Sequence, residues 1–232
     1  SSMNDYIYSD TVTGTTLLTN VIVYRGKSKS TYKASTLEDG LIADADSIVV
    51  EGSWDDSNLQ LLRYALKTNG STYTYNHTLK SADMSNAIFI GEISYGMKYM
   101  FYECDSLKFV ALPSSAFSGK ISLEETFCHC NKLATIENLD KLQNISTLYG
   151  TFFECYKLDN VKFTEKANQN NVNLPSTFGY CHTLKAIDLS SFTSISSLYE
   201  TFYDCPLLKE VKFAETTNNN TIYLYYTFYK CN

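Results

Sequence analysis

A phenylalanine followed three residues later by a cysteine recurs six times along the second half of this chain: Phe101/Cys104, Phe127/Cys130, Phe152/Cys155, Phe178/Cys181, Phe202/Cys205 and Phe228/Cys231. The phenylalanines are spaced 26, 25, 26, 24 and 26 residues apart. A period of that length restricts the chain to architectures in which each unit packs only on its neighbours. After each cysteine but the last comes an apolar pattern: Leu107-x-x-Val110-x-Leu112, a looser Leu133-x-x-Ile136 ending at Leu139, Leu158-x-x-Val161-x-Phe163, Leu184-x-x-Ile187-x-Leu189 and Leu208-x-x-Val211-x-Phe213. Leu123, Leu148, Leu174, Leu198 and Leu224 stand four residues before their phenylalanine, and Thr126, Thr151, Thr177, Thr201 and Thr227 stand immediately before it. Two stretches, Phe163 to Asn168 and Ile145 to Tyr149, recur 50 residues later, as if adjacent units had been duplicated together.

Side-chain direction converts this pattern into structure. The Val-x-Leu end of each unit alternates, as a short strand with one face turned inward does. Strands separated by some two dozen residues cannot pair through tight hairpins, so consecutive strands are expected to be parallel and joined by crossovers. The Leu-x-x-Thr-Phe-x-x-Cys portion has apolar residues three and four apart and reads as a helical turn or short helix opposite the strands. The expected fold class is therefore α/β: a solenoid with a parallel sheet of short strands, short helical turns opposite, and an N-terminal cap.

Tyr73-x-x-Asn76-x-x-Leu79-x-x-Ala82-x-Met84 extends the frame upstream, with tyrosine for phenylalanine and asparagine for cysteine. Before it, Asp55-Asp56-Ser57 with Leu59, Leu62 and Leu66 reads as a capped amphipathic helix stopping at Asn69-Gly70. Ser35-x-x-Glu38 resembles a capping box opening a short helix. Ile48 to Val50 and Val21 to Tyr24 read as strands, with Arg25-Gly26-Lys27 a turn. This gives a flexible tether at 1–15, an α/β cap at 16–72 that shields the first unit's apolar edge, and a solenoid at 73–232 of about six to seven coils, the last incomplete. The opening Ser1-Ser2-Met3 looks like a trimmed start, from which a leader or tether has been removed. The chain stops in mid-unit at Cys231-Asn232, so either it continues or another subunit covers that edge.

Chemistry is scarce. The six cysteines of the repeat stack as a column; adjacent coils lie about 4.8 Å apart, which does not exclude bridges. Core-facing cysteine behaves as a small apolar residue, however, so free thiols are favoured. Cys128-His129-Cys130 lacks the spacing of a zinc pair, and Cys130 already belongs to the column. His77, His129 and His182 fall in different coils, and no nucleophile motif or phosphate-binding glycine loop occurs. The pairs Glu124-Glu125 and Asp55-Asp56 sit at cap or helix positions, where a solvated face or a helix N-terminus accounts for them. No catalytic, cofactor or metal site is expected, and an enzyme is the least favoured reading. The net charge is −6 with Lys and Arg scattered, which argues against a nucleic-acid surface. The longest apolar run, Val21 to Tyr24, is far too short to cross a bilayer.

Two surfaces are candidates for ligand binding. Outward strand positions carry Ala111, Glu137, Lys162, Asp188 and Lys212, a column of alternating charge. Opposite neighbours across a parallel sheet relieve repulsion without any ligand; the alternative is the floor of a binding surface. The next column holds Phe109, Thr135, Asn160, Ala186 and Glu210, with Phe109 an exposed aromatic. Tyr149, Tyr199 and Tyr225 follow the upstream leucine, and Tyr102, Tyr203 and Tyr229 neighbour the phenylalanines. Among 19 tyrosines, these would crowd the convex side or one rim, either as a contact surface or as half-buried packing between coils.

The run Phe-x-x-Cys-x-x-Leu-x-x-Val/Ile-x-Leu/Phe, with Leu112-Pro113 after one strand, resembles the BspA-like leucine-rich-repeat family of bacterial surface proteins over about residues 73–232. Ile48 to Asp56, Leu59-x-x-Leu62-Arg63 and Leu79 to Ala87 are similar to the amino-terminal cap of such proteins from gut and oral Bacteroides-type bacteria. Threonine stands at Thr126, Thr151 and their equivalents where alanine is usual in that family. The resemblance implies export to the cell surface or outer membrane, or secretion. A removed lipid anchor would be the only link to a membrane. It implies adhesin-like binding to a host extracellular or cell-surface protein. A self-assembling surface protein using the open carboxy-terminal edge is the alternative, and carbohydrate binding through stacked tyrosines a weaker one. The resemblance supplies no catalytic residue and no cofactor.

Overall fold

The computed structural model describes residues 18–68, 70–215 and 223–232; the tether expected at 1–15 and Asn69 of the expected helix stop lie outside the described residues. Strands β1 (Asn20–Arg25) and β2 (Ser28–Lys33) form an antiparallel hairpin. Gly26 opens its two-residue loop at φ 58, the positive value such hairpin loops need, and its N–H donates to the Asp46 carboxylate. Strand β3 (Ser47–Trp54) runs antiparallel to β1 and leads into helix α1 (Asp56–Leu66). Asp55 caps this helix, its Oδ1 accepting from the Asn58 N–H at 2.8 Å, and Leu59, Leu62, Ala65 and Leu66 face inward.

The capping box expected at Ser35 and Glu38 does not form. Residues Ala34–Thr36 make one 3-10 turn without a side-chain cap, and i→i+3 bonds carry the chain on to Ala45. The reason lies at the other end of α1. Gly40 and Ile42 donate to the Tyr64 and Ala65 carbonyls at 2.9 Å each, and Asn76 Nδ2 donates to the Leu66 carbonyl at 2.9 Å. This segment is held open to satisfy the orphan acceptors of the helix terminus.

From β3 the sheet continues in parallel through β4 (Ser81–Phe89) and β5 (Phe109–Ala111). Strand β6 (Ile121–Ser122) lies elsewhere, and β7 (Thr135–Glu137) ends this sheet, whose order is β2-β1-β3-β4-β5-β7. A second parallel sheet, absent from the sequence reading, joins β6, β8 (Ile145–Thr147), β9 (Val172–Asn173) and β11 (Ile195–Ser197) in the order β11-β9-β8-β6. Strands β10 (Ala186–Asp188) and β12 (Glu210–Lys212) pair separately, in parallel. The strand expected at 160–162 joins neither flanking pair among the described residues. Its side chains still alternate, with Val161 and Phe163 buried and Lys162 exposed. The apolar pattern dictates which side chains turn inward; it does not oblige the backbone to complete a ladder.

The third side of each coil corrects the helical expectation. Two residues flanking each phenylalanine by two positions have positive φ, between 49 and 62°: Tyr99/Glu103, Glu125/His129, Gly150/Glu154, Ser176/Tyr180, Glu200/Asp204 and Tyr226/Lys230. With i→i+3 bonds such as Thr151 N to Leu148 O (3.1 Å) and Cys155 N to Phe152 O (3.0 Å), these are successive type II β-turns. A helix cannot accommodate a left-handed residue every fourth position. The turns free backbone donors to point along the stack, so Phe127 N reaches Thr151 O and Phe152 N reaches Thr177 O, both at 2.9 Å.

One core runs the length of the stack. The rings of Phe101, Phe127, Phe152, Phe178, Phe202 and Phe228 stack in sequence at 5.3–5.8 Å. Tyr73 does not join them. Its ring lies on Tyr102 at 4.3 Å, while Thr74 turns inward and donates to the Tyr99 carbonyl at 2.6 Å. The first unit therefore departs from the expected substitution of tyrosine for phenylalanine, because a phenol oriented inward would need a buried partner that a small hydroxyl finds at once.

Cysteine and threonine bond each coil to the one before it. Sγ of Cys130, Cys155, Cys181, Cys205 and Cys231 donates to the phenylalanine carbonyl of the preceding coil at 3.0–3.2 Å. Oγ1 of Thr151, Thr177, Thr201 and Thr227 donates to the preceding leucine carbonyl at 2.7–2.8 Å. All seven cysteines are free.

Candidate functional site

The strand-side candidates are only partly brought together. Asp188 and Lys212 approach to 4.0 Å with both side chains largely exposed, a pairing of little energetic weight. Glu137 lies beyond the unpaired 160–162 segment and forms no ion pair among the described residues. Lys162 joins Asp188 and Lys212 at a hollow of about 280 Å³, with Phe163 and Ser191 in its walls. Ser191 Oγ is buried there and has no hydrogen-bond partner among the described residues. The Asp188 carboxyl is held below its ordinary range by hydrogen bonds from the Ser190 hydroxyl and N–H, with Lys212 a lesser cause. Phe109, expected to be exposed, is half-buried.

The turn side is richer. A row of rings passes from coil to coil: Tyr73 to Tyr102 (4.3 Å), Tyr102 to His129 (5.3 Å), His129 to Phe153 (5.6 Å), Phe153 to Tyr180 (5.3 Å), Tyr180 to Tyr203 (5.4 Å) and Tyr203 to Tyr229 (5.1 Å). Tyr199 stacks on Tyr225 at 5.5 Å, whereas Tyr149 is separated from them by the coil of Pro175. Tyr149 stands instead at a hollow of about 170 Å³ with Tyr102, Glu125, His129, Gly150 and Phe153.

Tyr180, and the place of His129 in the ring row, were not anticipated from the sequence, although a signal for both exists. The position after each inner phenylalanine holds Tyr102, Phe153, Tyr203 and Tyr229, but Cys128 and Gly179 in two coils. Where that position is small, the next residue supplies the ring. Gly179 is required for this arrangement, since a Cβ there would lie 2.8 Å from the Phe153 ring.

Charge is distributed unevenly along the row. Near its amino-terminal end, rings outside the row carry the protein's own cations: Arg63 sits 4.6 Å from the Tyr64 centroid, Lys67 5.2 Å from the same ring, and Lys98 5.1 Å from Tyr99, which packs edge-on against Tyr73 and Tyr102. Lys98 also pairs with Glu124 at 3.4 Å. One coil further, burial and the neighbouring Glu124 raise the Glu125 carboxyl above its ordinary range. Burial raises the Tyr102 and Tyr149 phenols, with the Glu125 charge adding to both. His129 Nδ1 lies 3.2 Å from Glu154 Oε1. Cys128 is buried with its thiol pushed up, and the column cysteines beside it are likewise held protonated by burial. Among the described residues no group of three or more His, Cys, Asp or Glu is arranged to hold a metal ion, and no helix is long and apolar enough to cross a membrane.

No curated protein matches this chain. Among solved structures, the T. pallidum leucine-rich repeat protein (TpLRR) is similar at 26% identity and a TM-score of 0.46, over 78% of this chain and 70% of that one. The model of the BspA type leucine-rich repeat region matches six copies, over residues 57–147 and 97–232. With most of its length matched, the chain belongs to the BspA-type leucine-rich repeat family.

Proposed function

We propose that this chain is a non-enzymatic, adhesin-like binding protein of a bacterial cell surface, and that the turn side of its solenoid receives a protein ligand. In this reading residues 16–72 cap the stack and 73–232 form the repeat surface. Family membership supports an interaction role at the surface. The observation that carries the choice of face is the row of half-exposed rings from Tyr73 to Tyr229. Rings of this kind combine large contact area with few rotatable bonds and dominate protein recognition. On the strand side the candidate charges are largely exposed, and among the described residues only Asp188 and Lys212 approach one another.

Solid-phase binding to immobilised extracellular-matrix proteins tests this, with an unrelated solenoid as control. A chain with Tyr180, Tyr203 and Tyr226 changed to serine should lose about tenfold or more in affinity. A chain with Glu137, Lys162, Asp188 and Lys212 changed to alanine should retain it. The reverse ranking would move the binding face to the strands. Binding no better than the control would remove the adhesin reading.

A further inference from the structure

Beside the amino-terminal end of the ring row the protein's own Lys98 lies over an aromatic ring, and one coil further on a carboxylate and several rings meet again around a hollow. Lys98 shows the pattern in full: its ammonium lies over the Tyr99 ring and pairs with Glu124. The hollow beside it has rings from Tyr102, Tyr149 and Phe153 around the Glu125 side chain. Among the described residues the Glu125 carboxylate forms no direct ion pair or side-chain hydrogen bond; Lys98 pairs with Glu124 and His129 with Glu154, and both act on Glu125 only at longer range. Two small residues make the space. Gly150 forms part of the lining, where a Cβ would come within 3.0 Å of Glu125 Cγ, and Cys128 stands where neighbouring coils carry Tyr102 and Phe153. A half-buried carboxylate surrounded by aromatic faces attracts an organic cation twice over, through charge and through the ring quadrupoles.

We propose that this hollow receives the alkylammonium end of a lysine side chain from the protein ligand, with Glu125 as counter-ion and the Tyr102, Tyr149 and Phe153 rings as walls. The inference rests on the reading of the turn side as the recognition face and adds the chemistry of one contact. Lysine is chosen over arginine because in the adjacent coil an alkylammonium, that of Lys98, is already held by one carboxylate and one ring.

Ligand-observed NMR with the full chain provides the test, using acetyl-Gly-Lys-Gly-amide and its norleucine and arginine counterparts as probes. The lysine peptide should bind, and the norleucine peptide, isosteric but uncharged, about tenfold more weakly. Glu125→Gln should weaken the lysine peptide by about tenfold, and Tyr149→Leu by about fivefold, while both variants keep the parent circular dichroism spectrum. Absence of lysine-peptide binding, equal binding of norleucine, equal or tighter binding of arginine, or indifference to both substitutions would each overturn the proposal. Matrix-protein binding separates the two levels. If the lysine peptide fails while the Tyr180/Tyr203/Tyr226 serine variant still loses matrix binding, the lysine contact falls and the recognition face stands. If the peptide results hold while no matrix protein binds, the hollow stands and the class of partner is wrong.

Discussion

At Thr151 a single hydroxyl replaces what alanine would leave bare, donating from Oγ1 to the Leu123 carbonyl at 2.8 Å in a fully buried position. Thr151→Val keeps the shape and removes the donor, so it should cost about 1 kcal/mol in denaturant-induced unfolding. No loss would mean that the hydroxyl ladder is incidental. Glu125 tests the opposite balance. Burial and Glu124 raise its folded-state pKa above the ordinary 4.5, so the folded chain holds a proton that the unfolded chain releases. Its contribution to stability is therefore present below the ordinary value and is lost as pH rises through the raised one. Glu125→Gln should raise the Tm at pH 7, with the gain vanishing below about pH 4. A lower Tm at pH 7 would show that the carboxylate is stabilising as it stands.

Among the elements, what could be read from the sequence follows from pattern strength. The inward Leu, Val and Phe of each unit, the first hairpin strand and α1 were legible because their apolar patterns recur or are capped by Asp55, whereas β2, with the polar run Ser28–Lys33, was not. The β6-β8-β9-β11 ladder was not. Segments such as Ile145-Ser-Thr-Leu148 offer two apolar residues around polar ones, too little to distinguish a strand from a linker. The left-handed turns were hidden for another reason. Of the two positive-φ positions in each coil, only Gly150 is a glycine, and Glu, Tyr, Ser, His, Asp and Lys occupy the rest. Stacking imposes those conformations against local preference. The candidate site was legible in part: its tyrosines stood out, but Glu125 and the ring-for-small-residue exchange at Gly179-Tyr180 needed the coil geometry. One side-chain amide also ties two neighbouring coils together. Asn168 accepts from Ile145 N at 2.7 Å and donates to Ile145 O at 2.9 Å, both in the interior. Asn168→Ala leaves both backbone groups without these partners and should cost about 1–3 kcal/mol, measurable as a drop in Tm. An unchanged Tm would indicate that water replaces the amide.

For the molecule as a whole, coil stacking separates two sets of rings, one that holds the chain together and one that faces outward. The stacking also governs the thiols. Six cysteines are buried and Cys231 is half-buried, so a native-state thiol titration should label Cys231 alone, and all seven should react in denaturant. Rapid labelling of Cys155 or Cys181 in the native protein would mean that the coils part readily. The most direct test uses two neighbouring residues, Phe152 and Phe153, one fully buried in the inner stack and the other half-exposed on the turn side. Equilibrium unfolding should show Phe152→Ala losing about 3–5 kcal/mol and Phe153→Ala about 1 kcal/mol or less. Equal losses, or a larger loss at Phe153, would contradict the division into an inner stack and an outer face.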